Sequence, residues 1–316
     1  MNPAWSVILL TTLCGAAQGL FLMLYGAELA GWAGRGGVGP GFFAMGGIVA
    51  FVLTLAALGA SFFHLGRPER AWRAAAMWRT SWLSREVIVL PLFMAGAFFW
   101  TVGHWGGAPW TPLVGAAAAV AALALYLCTA MIYMSIRFIQ EWASAWTLVN
   151  YTLIGLASGA TLAAALAGAR APALAPALTA LALALTLAAG ATRAASLVRN
   201  ARLAPRSTMQ TAIGIRHPQI RQRAMGFMGG SFNTREFFHG RGAGTLRWVK
   251  WVMALAGFVL PAALLLLALV SAWTAVTLQW VLALAFAAQA LGLLAERWFF
   301  FAQARHPQNL YYQAVS

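Results

Sequence analysis

The sequence predicts an all-α integral membrane protein with eight transmembrane helices and both termini in the cytoplasm. Hydrophobic residues make up 62% of the 316 residues, and charged residues only 9%. So little polar surface cannot cover a soluble globule of this size. Eight apolar segments reach the length of about 20 residues that a helix needs to cross a bilayer. Most Lys and Arg residues lie on one side of these segments.

The eight apolar segments form a single predicted membrane domain. They cover residues 4–33, 40–63, 86–106, 111–136, 145–168, 172–198, 248–271 and 275–304. The third segment contains Pro91 and the seventh Pro261, which membrane helices tolerate because neighbouring helices satisfy the freed carbonyl groups. The longest connection, residues 199–247, is basic and rich in glycine. Its length predicts a functional or partner-ordered loop.

The distribution of basic residues predicts the orientation. If the spans alternate, 19 of the 21 Lys and Arg residues fall on one side, in loops 64–85, 137–144 and 193–250, in the last turns of the eighth span and in the C-terminal tail. The two exceptions are Arg35 and Arg170. Because cytoplasmic loops carry the Lys and Arg excess, this side is predicted to face the cytoplasm of a bacterial inner membrane. The net charge of +15 therefore needs no nucleic acid as a partner.

Ionisable side chains at membrane depth are costly, so each is a functional hypothesis. His64 ends the second span and Glu86 opens the third, at the same predicted boundary. A quinone that takes up two electrons also takes up two protons, which suits a histidine and a carboxyl relay beside its carbonyl groups. Structural roles stay open, with Ser84 as the N-cap before Glu86 and His64 bonded to a backbone carbonyl. The other ionisable residues near the membrane are Glu28, His104, Glu141 and Glu296.

The histidines and cysteines do not have the spacing of a metal or haem site. His64 and His104 lie at opposite boundaries, about 28 Å apart at the rise of an α-helix, whereas a bis-histidine haem needs two at one depth. Cys14 and Cys128 are far apart within apolar runs, without the paired spacing of zinc or iron–sulfur sites. Electron transfer through this chain would therefore use a partner's cofactor and a bound quinone.

Several stretches together resemble one family of membrane anchors. His64–Pro68 with Ser84–Glu86 resembles the anchor subunits of DMSO-reductase-type molybdoenzymes, relatives of the polysulfide reductase anchors. Pro3–Ser6, Tyr133–Thr147 and Glu296–Phe300 are similar to the same family. The resemblance implies an eight-helix protein that binds an iron–sulfur subunit, which contacts a molybdopterin catalytic subunit. It also implies electron exchange with menaquinone or ubiquinone. The positions of the histidines and cysteines predict that this chain itself binds no haem or iron–sulfur cluster.

The resemblance also implies roles for individual residues. The quinone-binding residues would be His64, Gly66, Arg67, Glu86 and Tyr133. Arg67, Arg70 and Arg73 recur at a spacing that puts them on one helical face, where they could anchor the orientation or dock an acidic partner. The full predicted docking set is Arg70, Arg73, Arg79, Arg221, Arg223 and Arg235.

The long loop and its predicted side of the membrane distinguish this chain from the enteric DMSO reductase anchor. That anchor places its corresponding His-Leu-Gly loop outside and lacks a counterpart of residues 226–236. The loop looks more like that of anchors in cytoplasm-facing sulfite-oxidising enzymes. Sulfite oxidation coupled to quinone reduction is therefore the favoured hypothesis. The alternatives are an anchor of a reductase that uses quinol and, in a different class, a secondary transporter.

Overall fold

The computed structural model describes residues 1–63, 65–221, 238–307 and 309. Over these residues the chain is helical, and eight helices are long and apolar enough to cross a membrane. They are α1 (Trp5–Leu29), α2 (Pro40–Phe62), α3 (Trp82–Gly106), α4 (Thr111–Met134), α5 (Ala145–Arg170), α6 (Ala175–Ala201), α7 (Ala243–Val270) and α8 (Ala275–Ala302). The predicted all-helical class and the number of candidate spans are confirmed.

Short helices occupy two of the connections. A 3₁₀ helix, Pro68–Met77, leads into α3, and a five-residue helix, Met209–Ile213, follows α6. A π-helical turn, Leu255–Val259, interrupts α7 just before Pro261. Such turns absorb the irregular hydrogen bonding that a proline imposes. Within this turn, Gly257 packs directly against Gly292 of α8.

Glycines bring α1 and α5 into backbone contact at the centre of the bundle. Gly15 and Gly19 of α1 face Gly155 and Gly159 of α5. A methyl group added at Gly19 or Gly159 would overlap the backbone of the opposite helix. Small residues four apart are the usual means of close packing between membrane helices, where no hydrophobic effect drives association. The α1–α5 contact forms the frame of the site described below.

Hydrogen bonds between distant segments tie together the loops at one end of the bundle. Trp142 Nε1 donates to Phe300 O at 3.1 Å, and the Arg199 guanidinium donates to Gln140 O at 3.2 Å. Gln140 in turn donates to Ala204 O at 3.2 Å. We call this the basic end; its described residues are 63, 65–81, 135–144, 202–221, 238–242, 303–307 and 309. The opposite end is formed by residues 30–39, 107–110, 171–174 and 271–274.

The start of α3 is fixed by side chains of the preceding loop. Ser81 is the N-cap and accepts a hydrogen bond from Ser84 N at 3.3 Å, so Ser84 lies inside the helix and is not its cap. The helix begins four residues earlier than the predicted residue 86, because Ser81 provides the earlier cap. Arg85 donates to the carbonyls of Trp78 and Arg79, each at 2.8 Å. Glu86 therefore lies beyond the first turn of a firmly anchored helix.

Candidate functional site

A cavity of about 30 Å³ lies between α1, α3, α4, α5 and α8, towards the basic end. This volume holds one or two oxygen-sized groups. Apolar side chains, among them Leu90, Leu125 and Leu293, form part of its wall. The polar lining residues come from all five helices, and they include Thr12, Gln18, Glu86, Tyr126, Thr129, Tyr151, Ser158 and Arg297. The cavity is thus a polar chamber inside an apolar bundle.

Hydrogen bonds hold three of these polar groups against neighbouring groups. The Thr129 hydroxyl of α4 donates a hydrogen bond to Glu86 Oε1 of α3. Tyr126 of α4 donates to Gly15 O of α1 at 2.7 Å, through the gap that Gly155 leaves open. Gln18 Nε2 donates to Cys14 Sγ at 3.1 Å on the same helix. These hydrogen bonds therefore hold the cavity wall in place around Glu86.

Three buried polar atoms of the lining residues have no hydrogen-bond partner among the residues that the structure describes. They are Thr12 Oγ1, Gln18 Oε1 and Arg297 NH1. Buried polar atoms are almost always paired, because an unpaired one costs about 1–3 kcal/mol. Several such atoms around one cavity indicate a place where a polar group or water is bound. The set contains both donors and an acceptor, which fits the oxygen atoms of a carbonyl compound.

A buried ionic triad includes Arg297, which lines the cavity. Glu296 of α8 forms ion pairs with Arg193 Nε of α6 at 2.8 Å and with Arg297 Nε at 2.7 Å. Glu296, Arg193 and Arg297 are 1%, 2% and 3% exposed respectively. The Arg297 guanidinium also stacks on the Tyr151 ring at 3.9 Å. Charges buried this deeply persist only when paired, so the triad holds the Arg297 side chain in place at the cavity wall.

A second ionisable cluster lies at the opposite end of α3. His104 Nε2 is 3.3 Å from Glu28 Oε1, and Trp100 Nε1 donates to Glu28 Oε2 at 2.8 Å. The side chains of His104 and Glu28 are 8% and 9% exposed. Phe43 stacks on the His104 ring at 4.9 Å. Aromatic rings thus fill the space around this pair.

Of the predicted quinone-binding residues, Glu86 and Tyr133 belong to the helices around the cavity. Glu86 lines it, whereas Tyr133 packs in an aromatic cluster and stacks on Tyr151, one of the lining residues, at 5.8 Å. Gly66 and Arg67 are exposed at the basic end, where Arg67 precedes the 3₁₀ helix. His64 lies outside the described residues. Of the predicted residues that the structure describes, Glu86 is thus the one that lines the cavity.

The predicted docking residues that the structure describes are exposed at the basic end. Arg73 and Arg79 stack on the adjacent Trp72 and Trp78, with the guanidinium carbon 5.9 and 5.3 Å from the ring centroid. Arg70 lies 3.8 Å from Glu69, an exposed pair of little energetic weight. Arg221 is also exposed, and Arg223 and Arg235 lie outside the described residues.

The sequence patterns did not identify Gln18, Tyr151, Arg193 and Arg297 as site residues. Arg193 lies where the predicted span 172–198 overlaps the predicted loop 193–250, and it is 2% exposed inside α6. The available signal was an arginine within a predicted apolar span, which is rare and favours a buried ionic partner. Glu296 in the eighth span is that partner. Seven residues earlier on both helices, Gln289 of α8 donates a hydrogen bond to Thr186 of α6, which sets the same register.

His239 and His306 lie outside the spanning helices, at the basic end. His239 is 8% exposed, and its Nδ1 accepts a hydrogen bond from Arg241 N at 3.0 Å. Burial lowers the pKa of His239, and nearby positive charge lowers it further. Burial also lowers the pKa of His306. The lowered pKa therefore favours the neutral form of both imidazole rings near neutral pH.

Comparison with known proteins links this architecture to a described family. A sequence model of the family described as "DMSO reductase anchor subunit (DmsC)" matches residues 1–216. A protein from Allochromatium vinosum that is described as a subunit of sulfite dehydrogenase is 49% identical to the chain. That alignment spans 330 positions and covers 100% of both chains. The residues that the family model matches include α1 to α6, and with them the four helices of the cavity wall other than α8.

Proposed function

The chain belongs to the family of DMSO reductase anchor subunits, and we propose that it is the quinone-exchanging anchor of a sulfite-oxidising enzyme. It is a multi-pass membrane protein that forms part of a larger enzyme complex. The proposed partners are an iron–sulfur subunit, which contacts this chain, and a molybdopterin catalytic subunit. Electrons would pass from sulfite through those subunits to menaquinone or ubiquinone in a bacterial inner membrane.

The cavity beside Glu86 is the observation that carries the proposal. It brings a carboxyl group, a buried guanidinium and several unpaired polar atoms together inside the bundle. These groups fit the oxygen-bearing edge of a quinone, and the volume of about 30 Å³ suits that edge and not the whole ring. A bound quinone would supply the two-electron, two-proton chemistry. The residues of this chain would supply hydrogen bonds and protons.

The proposed roles follow from the position of each side chain. Arg297, fixed by Glu296, would donate to an oxygen at the inner end of the site. Glu86, held by Thr129, would transfer protons between the cavity and water at the basic end. His64, which directly follows the described residues at the end of α2, would donate to a carbonyl oxygen and follow its protonation. The charge of Arg67 would tune both groups.

Two observations favour sulfite oxidation at the cytoplasmic face. The relative that is 49% identical is described as part of a sulfite dehydrogenase. The excess of Lys and Arg at the basic end supports a cytoplasmic orientation of that end, and with it of the docked partners. A reporter fused near Ser207 should read cytoplasmic and one at Gly107 periplasmic. The reverse readings would contradict the orientation.

The quinone site is tested by separating turnover from assembly. We expect Glu86→Gln and His64→Gln each to lower quinone-coupled sulfite oxidation per assembled complex at least tenfold, about 1.4 kcal/mol on the barrier. Activity with an artificial dye should stay unchanged, because the catalytic subunit is untouched. Glu28→Gln is the matched control, since Glu28 is a buried carboxyl group at the opposite end.

The alternative, a structural role for Glu86 and His64, predicts the reverse pattern. Losing a cap or a buried hydrogen bond costs about 1 kcal/mol of stability, which would lower the amount of complex but not the turnover per complex. Both quantities are measured in the same membranes. Unchanged quinone turnover per complex in both variants would refute the proposed site.

The exposed arginines at the basic end are the proposed dock for the iron–sulfur subunit. Arg70, Arg73 and Arg79 combine positive charge with exposed indole rings on the segment that leads into α3. Arg221, Arg223, Arg235 and the rest of the loop 200–246 would extend this surface. Interfaces of this kind use charge to fix the partner and the register of docking.

Docking is tested with arginine variants at both ends. Replacing Arg70, Arg73 and Arg79 together with glutamine should release the partner subunits into the soluble fraction, increasingly so at high salt. Deleting residues 224–244 should do the same while the anchor still inserts. The control replaces Arg35 and Arg170, which are exposed at the opposite end. Full retention of the partners in both test variants would rule out this dock.

A further inference from the structure

The charge balance around the cavity is unusual for a membrane interior. Arg193, Glu296 and Arg297 together carry a net charge of +1 and are almost fully buried. Glu86 lines the same cavity as Arg297. If Glu86 is ionised, these four groups sum to zero. If Glu86 is protonated, one positive charge inside the bundle has no counterpart.

The remaining titratable groups of the cavity do not change this balance. Cys14 of α1, Tyr126 of α4 and Tyr151 of α5 line it, and a thiol and phenols in such surroundings are neutral at neutral pH. On α3 and α8 the titratable lining residues are Glu86 and Arg297, among the residues that the structure describes. The protonation of Glu86 therefore decides whether the cavity is neutral or positive.

We infer that the cavity selects a headgroup with a negatively charged oxygen, such as an ionised hydroxyquinone, and that its binding drives one proton onto Glu86. A low-dielectric interior disfavours an uncompensated cation, and it equally disfavours two anions beside one cation. An anionic ligand oxygen would therefore replace the Glu86 carboxylate as the negative charge that balances the Arg193–Glu296–Arg297 triad. Arg297 NH1, buried and without a described partner, is the donor available to it. This selectivity rests on the proposed quinone function.

A matched pair of ligands tests this selection on the full-length chain in lipid nanodiscs. The first is a 2-hydroxy-3-alkyl-1,4-naphthoquinone, which is ionised at neutral pH. The second is its 2-methoxy ether, which cannot ionise. Affinity is followed by quenching of tryptophan fluorescence, and proton uptake by calorimetry in two buffers of different ionisation enthalpy. We expect the hydroxy compound to bind at least tenfold more tightly, with uptake of about one proton per molecule bound.

Three variants assign the effect to individual residues. Glu86→Gln should keep the preference for the hydroxy compound but abolish proton uptake, because an amide is not protonated in this range. Arg297→Gln should reduce the preference to near unity. Glu28→Gln, the buried carboxyl control at the opposite end, should match the unmodified chain in both measurements. If Arg297→Gln does not insert, the proton count of Glu86→Gln still decides the question.

The outcomes separate this inference from the proposed function. Equal affinities for the two ligands, or proton uptake that survives in Glu86→Gln, would overturn the anion selection and leave a quinone site intact. Binding of neither ligand would mean that the cavity holds only buried water, and it would overturn both proposals.

Discussion

The two ends of α3 carry ionisable side chains in opposite settings. Glu86 and His104 lie about 27 Å apart along the helix axis. Glu86 borders a polar cavity, whereas His104 pairs with Glu28 under the rings of Trp100 and Phe43. Burial of a charge alone therefore does not identify a site. An ion pair enclosed by aromatic rings joins helices, whereas an ionisable group beside a cavity with unpaired polar atoms can bind a ligand.

The same helical face provides both clusters. Its inward residues recur three or four apart, as Glu86, Leu90, Phe93, Ala97, Trp100 and His104. Between the two clusters, Phe21 of α1 packs edge-on against Phe93 at 5.7 Å and Trp100 at 5.1 Å. These rings separate the cavity from the Glu28–His104 pair. Substitutions can therefore be made at one end with little direct effect at the other.

The largest effect is expected from Glu296→Gln, because it leaves two buried arginines side by side. Breaking a buried ion pair costs about 3–5 kcal/mol. Glu28→Gln should cost less, about 1–3 kcal/mol, since the amide oxygen can still accept from Trp100. The amount of folded chain in mild detergent and its thermal midpoint measure both.

A double variant checks that the cause is unpaired charge. Arg193→Gln combined with Glu296→Gln restores the net charge of the triad to +1, so it should be more stable than Glu296→Gln alone. Equal stability of the single and double variants would show that lost packing, and not charge, explains the effect.

A smaller effect is expected from Gly19→Ala, which would force α1 away from α5. Extra atoms in a well-packed core cost about 1–3 kcal/mol, and here they would also reshape the cavity between the two helices. Gly26→Ala is the control on the same helix, because a methyl group there meets nothing within 4 Å. Thermal unfolding of the two variants should separate them clearly. Similar midpoints would mean that α1 can shift without cost.

The sequence predicted the frame of the molecule better than the interior of its site. Apolar length alone predicts eight spans, because lipid forces every backbone group into helices. Glu86 was identifiable because a carboxyl group at a membrane boundary is conspicuous. Arg297 and Gln18 were not, since their role depends on which helical faces meet around the α1–α5 contact. Arg193 was hidden by its position next to a basic loop, where charge alone favours the surface.

The smallest effect is expected from pH acting on His239 at the basic end. Its pKa in the folded chain lies below the ordinary value of about 6.5, so the unfolded chain binds more protons between those two values. Stability from this residue is complete above about pH 6.5 and is lost as pH falls towards the folded pKa. His239→Gln should flatten the dependence of the thermal midpoint on pH.

Photo-crosslinking tests most directly which of the two ends of α3 binds quinone. A photoreactive quinone analogue is added to membranes that contain the assembled enzyme, and the labelled residues are identified by mass spectrometry with and without excess quinone. We predict competed labels at the basic end, on lining residues such as Leu10, Leu90 and Leu293. Competed labels around Glu28 and His104, with none at the cavity, would contradict the assignment.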